Sequence, residues 1–136
     1  MEWTDVAAHL VGLAHLATVS GDGKPHVAIV SPRVEGDIVW IGALRSSKKV
    51  RNVTARPVGA LVWSRTAEAY VDVTIEIVDL VSEKRRLWEG WAYDPAVFFA
   101  SPDNEDYVLL RCTPISATLT TAGDRGPLRQ RWKPSR

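Results

Sequence analysis

The 136-residue chain is 46% hydrophobic and 24% charged, with a formal net charge of +1, so residues 1–136 are expected to form a single domain with its own core and no second domain. So small a charge provides no general field for nucleic acid or an anionic membrane; any anion site has to be local, which favours a small ligand over a polymer. One cysteine, Cys112, excludes an internal disulfide framework, and without a run of about 18 apolar residues or a signal-peptide pattern the expected location is cytoplasmic, with no membrane partner.

Thr4 or Asp5 is expected to cap a short first helix with Val6, Leu10 and Leu13 on one face, packing as a lid. The run Ala14 to Ser20 reads as a strand, and Gly21-Asp22-Gly23 supplies residues that tolerate positive φ, as a hairpin turn needs. The second strand, Pro25 to Val34, is apolar on both faces at its centre and is expected to be covered on both. Glu35-Gly36-Asp37 turns the chain into a third strand, Ile38 to Ala43.

That strand delivers the chain into Gly42-Ala-Leu-Arg-Ser-Ser-Lys-Lys-Val-Arg-Asn-Val-Thr-Ala-Arg-Pro57, which reads as a phosphate cradle. Ser46 or Ser47 caps a short helix with Val50 and Val53 on its apolar side, and Pro57 closes it. The exposed N–H groups of the first turn attract anions, and Lys48, Lys49 and Arg51 add full positive charges beside them, which a phosphate monoester needs and a bare helix end lacks. Read alone, the same residues also suit a solvated basic helix face.

Val58 to Ser64 follows as a strand. In the next, from Tyr70, residues Val71, Val73, Ile75 and Ile77 share a core face while Asp72, Thr74 and Glu76 share a wetter one. Ser82 is expected to cap a helix from Glu83 to about Gly90, followed by an aromatic-rich stretch through Phe99. Pro102 to Asp106 reads as a polar loop, Tyr107 to Thr113 and Ile115 to Thr121 as two strands separated by Pro114, and Gly123 to Arg136 as a basic, weakly patterned tail.

About six or seven short strands with early hairpins and only two or three short helices argue for a mainly β fold, an antiparallel barrel with flanking helices. No Gly-x-Gly-x-x-Gly opens a helix and no strand–helix alternation runs along the chain, so a Rossmann fold is not expected and phosphate binding has to use the Ser-Lys-Lys turn. His9, His15 and His26 have no metal-ligand spacing with Cys112, which sits mid-strand among apolar residues as core.

The chain resembles the pyridoxamine 5'-phosphate oxidase-like, FMN-binding split-barrel family, especially its general-stress-protein branch. The resemblance spans roughly Leu16 to Leu119. It rests on Leu16-Ala-Thr-Val-Ser-Gly-Asp-Gly-Lys-Pro-His26, on Ser47-x-Lys49-Val-Arg-Asn52 followed by Pro57, and on Asp106-Tyr-Val-Leu-Leu-Arg111 with Thr113-Pro114. It implies a split β-barrel and a homodimer with flavin sites at the subunit interface. The phosphate would be held by Ser47, Lys48 and Lys49, with Val27, Ala28, Ile29, Val30, Gly42 and Ala43 along the ribityl chain and ring. Where many relatives carry an arginine this chain has Val27, and the polar residues that the oxidases place on the fifth strand have no counterpart at Val71 and Val73, so vitamin oxidase activity is not implied.

Two function classes follow. In the first, FMN, or alternatively a deazaflavin, does the hydride chemistry; a reduced nicotinamide is the donor, a small planar molecule the acceptor, and no side chain need be the catalyst. In the second, a non-catalytic protein stores or senses a flavin, deazaflavin or tetrapyrrole on the same barrel. Trp88, Trp91 and Phe99 are expected either to cover the ring or a neighbouring subunit, or simply to pack.

Overall fold

The computed structural model describes residues 1–135, and among them eight strands and four helices build one antiparallel sheet with helices at its margins. Helix α1 (Trp3–Ala7) is preceded by Glu2, whose N–H donates to the Asp5 carboxylate at 2.8 Å. Asp5 therefore serves from inside the first turn rather than as the cap. Val6 and Leu10 enter the core, but the helix stops too early to carry Leu13, which is 64% exposed.

Strands β1 (Ala14–Val19) and β2 (Pro25–Val30) form the expected hairpin, with Gly23 at φ 88° in the turn. The expected Pro25–Val34 strand breaks at Ser31-Pro32, because proline has no N–H to give a ladder, and resumes as the three-residue β3 (Arg33–Glu35). Strand β4 (Ile38–Leu44) pairs with β3 only through Ile38, Val39 and Trp40. The sheet order is β2-β1-β5-β6-β7-β4-β3, where β5 is Val58–Trp63, β6 Glu68–Val78 and β7 Tyr107–Gly123. On the β3 side, β4 is therefore unpaired from Ile41 onward, and the sheet does not close there: the barrel is split.

β6 alternates as its sequence predicts, with Val71, Val73 and Ile75 buried and Asp72, Thr74 and Glu76 exposed. The two expected C-terminal strands are one, β7, and Pro114 does not divide it. Asp72 pairs with Ser116 and Val73 with Pro114, so Ile115 is the extra residue of a bulge that carries the proline through the ladder. The tail is not loose either: β8 (Gly126–Trp132) folds back on β7, and Trp132 packs 5.0 Å from Trp3 between ring centroids.

Two cores share β4 and β7. Val39, Ile41, Ala43, Val108, Leu110 and Cys112 point into the barrel with Leu16, Leu61 and Trp63, whereas Trp40, Tyr107 and Leu109 point outward against Leu87, Trp91 and Phe99. These last three come from the segment holding α3 (Val81–Arg86) and α4 (Pro95–Phe99). The helix expected from Glu83 to Gly90 is thus shorter, begins after Leu80 and leaves Gly90 in a turn at φ 100°. The strand covered on both faces is β4. At the edge strand β2, Val27 and Ile29 are 60% and 67% exposed within one chain.

Gly59 on β5 marks a close strand contact, because a Cβ there would lie 2.9 Å from the Ala17 carbonyl oxygen and 3.0 Å from Ile75 Cδ1. Backbone cannot swing aside as a side-chain tip can. Gly59→Ala is therefore expected to destabilise by about 1–3 kcal/mol, read as a lower urea midpoint at unchanged slope.

Candidate functional site

Helix α2 (Lys48–Ala55) begins directly after β4, with Ser47 at the cap position. The expected hydroxyl cap is not made: Ser47 Oγ donates back to the Leu44 carbonyl at 2.7 Å, and Ser46 Oγ donates to Asp106 at 3.3 Å. The first-turn N–H groups of α2 therefore lack a side-chain cap and keep their affinity for an anion. Val50 and Val53 anchor the helix to the barrel core, and buried Asn52 donates to Thr18 Oγ1 at 3.1 Å. This anchoring decides which cation turns inward. Lys48 and Arg51, three residues apart, share the exposed side, while Lys49 is half-buried.

Beside α2 lies a cavity of about 490 Å³, in the gap between β2 and the free half of β4. Ile29 and Val30 form one wall and Gly42, Ala43 and Leu44 another; Ser47 and Lys49 close one end, with Ser31 also at the surface. Ala92, Tyr93, Phe98 and Phe99 complete it from the aromatic segment, and Leu13 sits at the rim. Of the residues singled out in the sequence, Ile29, Val30, Gly42, Ala43, Ser47 and Lys49 line this cavity, whereas Val27, Ala28, Lys48 and Arg51 do not. Position along β2 explains the first difference: the cavity meets only the C-terminal end of the strand, at Ile29 and Val30, and Val27 and Ala28 lie further back.

The site's one inward cation is perturbed by its setting. Burial pushes the Lys49 ammonium below its ordinary value of 10.5, and no carboxylate among the described residues lies within ion-pair reach of it. At the other end the aromatic rings form a continuous packed floor. Phe99 stacks on Tyr107 with centroids 4.5 Å apart, Tyr93 meets Phe98 edge-on at 5.5 Å, and Trp91 lies 5.6 Å from Tyr93. Of Trp88, Trp91 and Phe99, only Phe99 reaches the cavity; Trp91 is core, and Trp88 packs against the Tyr107 edge. Ala100, at φ 66°, holds a γ-turn closed by Ser101 N–H donating to the Phe99 carbonyl at 2.8 Å, a strained link that fixes where Phe99 points.

Tyr93, Phe98, Leu13 and Leu44 were not singled out from the sequence as lining residues. Tyr93 and Phe98 stand in the aromatic-rich run that was the available signal, but residue type alone does not separate a ring that packs from one that lines a wall. Burial pushes the Cys112 thiol up to about 12, in keeping with core rather than nucleophile, and no cluster of metal-binding side chains occurs among the described residues. No described helix is long and apolar enough to cross a membrane.

The donor set fits a phosphorylated planar ligand: a desolvated ammonium and uncapped helix N–H groups at one end, apolar and aromatic walls at the other, and a volume in the range of small-molecule sites. Comparison with models of known protein families and with curated proteins gave no match. Solved structures do match. General Stress Protein 26 from Bacillus anthracis str. Sterne is similar with a TM-score of 0.73 at 21% identity, over 93% of this chain and 97% of that one. A pyridoxamine 5'-phosphate oxidase-related, FMN-binding protein from Nostoc punctiforme PCC 73102 gives 0.72 at 15% identity, over 98% of both chains. An F420 reductase gives 0.59 at 23% identity, over 77% of this chain and 87% of that one. With its split antiparallel sheet, the helix after β4 and the aromatic segment over β4 and β7, the chain has the fold of the pyridoxamine 5'-phosphate oxidase-like, FMN-binding split barrels and their general stress protein 26 members.

Proposed function

We propose that the protein is a flavin-dependent oxidoreductase that holds FMN in the cavity between β2, β4 and α2. The observation that carries this reading is Lys49, a half-buried cation with no carboxylate partner among the described residues, at one end of an otherwise apolar cavity. Lys49 and the first-turn N–H groups of α2 bind the phosphate. Gly42 and Ala43 bring the β4 backbone close to the ring, and Phe98 and Phe99 exclude water from one side. Held there, a flavin would supply the hydride chemistry between a reduced nicotinamide and a small planar acceptor, so the chain would need no catalytic side chain of its own.

A second copy of the chain completes the site in this reading. Leu13, Ile29 and Phe98 line the cavity yet are 64%, 67% and 61% exposed, and with Val27 they form an apolar rim along an edge strand that a partner would cover. A symmetric dimer is the expected result of light scattering at micromolar concentration; a monomer that binds FMN stoichiometrically would overturn the interface arrangement.

Turnover tests the activity. Anaerobic addition of a reduced nicotinamide is expected to bleach the flavin absorption of the loaded protein, and an added quinone to restore it. A yellow protein that neither bleaches nor recovers would instead support a storage or sensing role. The neighbouring F420 reductase fold keeps a deazaflavin as the alternative ligand, which the absorption spectrum and mass of the extracted cofactor distinguish from FMN.

A further inference from the structure

Four polar side chains reach the cavity, and the roles above leave Tyr93 unexplained. Ser47 is engaged with the Leu44 carbonyl and Lys49 stands at the α2 end, but no group among the described residues hydrogen-bonds the Tyr93 hydroxyl. Its position is tightly set. A Cβ added at Gly42 would fall 2.9 Å from Tyr93 Oη, so the absence of a side chain there is what lets the phenol rest on the β4 backbone. Trp91 on one side and Phe98 edge-on at the other hold the ring.

We infer that Tyr93 is a specificity-determining residue, its hydroxyl donating a hydrogen bond to an acceptor atom on the edge of a planar ring lying along the unpaired half of β4, beside Gly42 and Ala43. This rests on the flavin reading above. The cavity then has two polar ends, a cation for a phosphate and a phenol for a ring carbonyl or imine nitrogen, separated by apolar wall. A ring without an acceptor at that edge would leave the donor unsatisfied in a desolvated place, so the site selects heteroaromatic rings over plain hydrocarbon ones. Burial pushes the phenol above its ordinary value of 10.0, so it stays protonated and remains a donor across the physiological range.

The test is Tyr93→Phe, which keeps the ring and its packing, titrated with FMN and with riboflavin by fluorescence quenching. Affinity is expected to fall by roughly threefold to tenfold, by the same factor for both ligands because the lost contact lies at the ring end. The visible absorption band of bound FMN should shift relative to wild type, and the apo midpoint in urea should stay in place. Unchanged or tighter binding of both ligands overturns the inference and leaves the flavin reading standing. A loss confined to FMN assigns Tyr93 to the phosphate end and also overturns it. Wild-type protein that binds no FMN overturns the flavin reading, and this inference with it.

Discussion

Replacing Lys49 with alanine is expected to weaken FMN binding by about one to two decades while leaving riboflavin binding nearly unchanged. A hydrogen bond to a charged group contributes roughly 1.5–3 kcal/mol, and about 1.4 kcal/mol corresponds to tenfold in affinity. The half-buried ammonium faces less competition from water than a surface one, which places its contribution toward the upper part of that range. Lys48, on the outer side of α2, is solvated, and Lys48→Ala should reduce affinity by less than about fivefold through screened attraction. The contrast separates a built site from a general basic patch: a patch would make the two substitutions equivalent, and a larger loss from Lys48→Ala would put the phosphate elsewhere. The pH dependence has a definite sign. Because burial lowers the Lys49 pKa from 10.5, the cation is lost earlier on the alkaline side than for a free lysine. FMN affinity in wild type should therefore decline as pH approaches that range, with the decline missing for riboflavin and for Lys49→Ala.

The largest effect on stability is expected at Lys84, which is only 2% exposed. Its ammonium donates to the Tyr107 carbonyl at 2.9 Å and the Asn104 carbonyl at 3.3 Å, pairs with Asp79 at 2.9 Å, and lies 5.8 Å from the Tyr107 ring centroid. One side chain thus ties α3, the loop before β7 and the aromatic floor together. Lys84→Met keeps the apolar stem and removes the ammonium, so the Tyr107 carbonyl loses that donor and the Asn104 carbonyl keeps only the Tyr107 N–H. Each such loss costs about 1–3 kcal/mol, and since Asp79 is half-exposed and also paired with Arg45, the total should be about 2–4 kcal/mol. Chemical denaturation at neutral pH measures it; a loss below about 1 kcal/mol would mean that water satisfies those carbonyls. The Lys84 hydrogen bond, followed by that of Arg45, holds the Asp79 carboxyl below its ordinary 3.8. A depressed folded pKa contributes stability that is present above the unfolded value and lost as pH falls through the folded one. The difference between wild type and Lys84→Met should therefore narrow by the Asp79 share alone as pH drops below about 4, while the share carried by the carbonyls persists.

Much of the architecture was legible in the chain itself, wherever a local physical cause acts alone. The alternation of Val71, Val73 and Ile75 with Asp72, Thr74 and Glu76 marks β6 because a pleat has period two, and Gly21-Asp22-Gly23 marks the first hairpin because the turn needs positive φ. The Ser-Lys-Lys turn marks the start of α2, and the order of short motifs carried the family resemblance. Pairing and packing decided the rest. Whether a proline ends a strand depends on the neighbour: Pro32 breaks β2 from β3 at a sheet edge, while Pro114 passes through the middle of β7 because a bulge absorbs it. The tail becomes β8 only because β7 is long enough to receive it. Which lysine faces the cavity follows from Val50 and Val53 anchoring α2, and Tyr93 joins the site only because Gly42 leaves room across the sheet. These last facts are distances between residues remote in sequence, set by how the helices and aromatic rings pack on the two faces of β4.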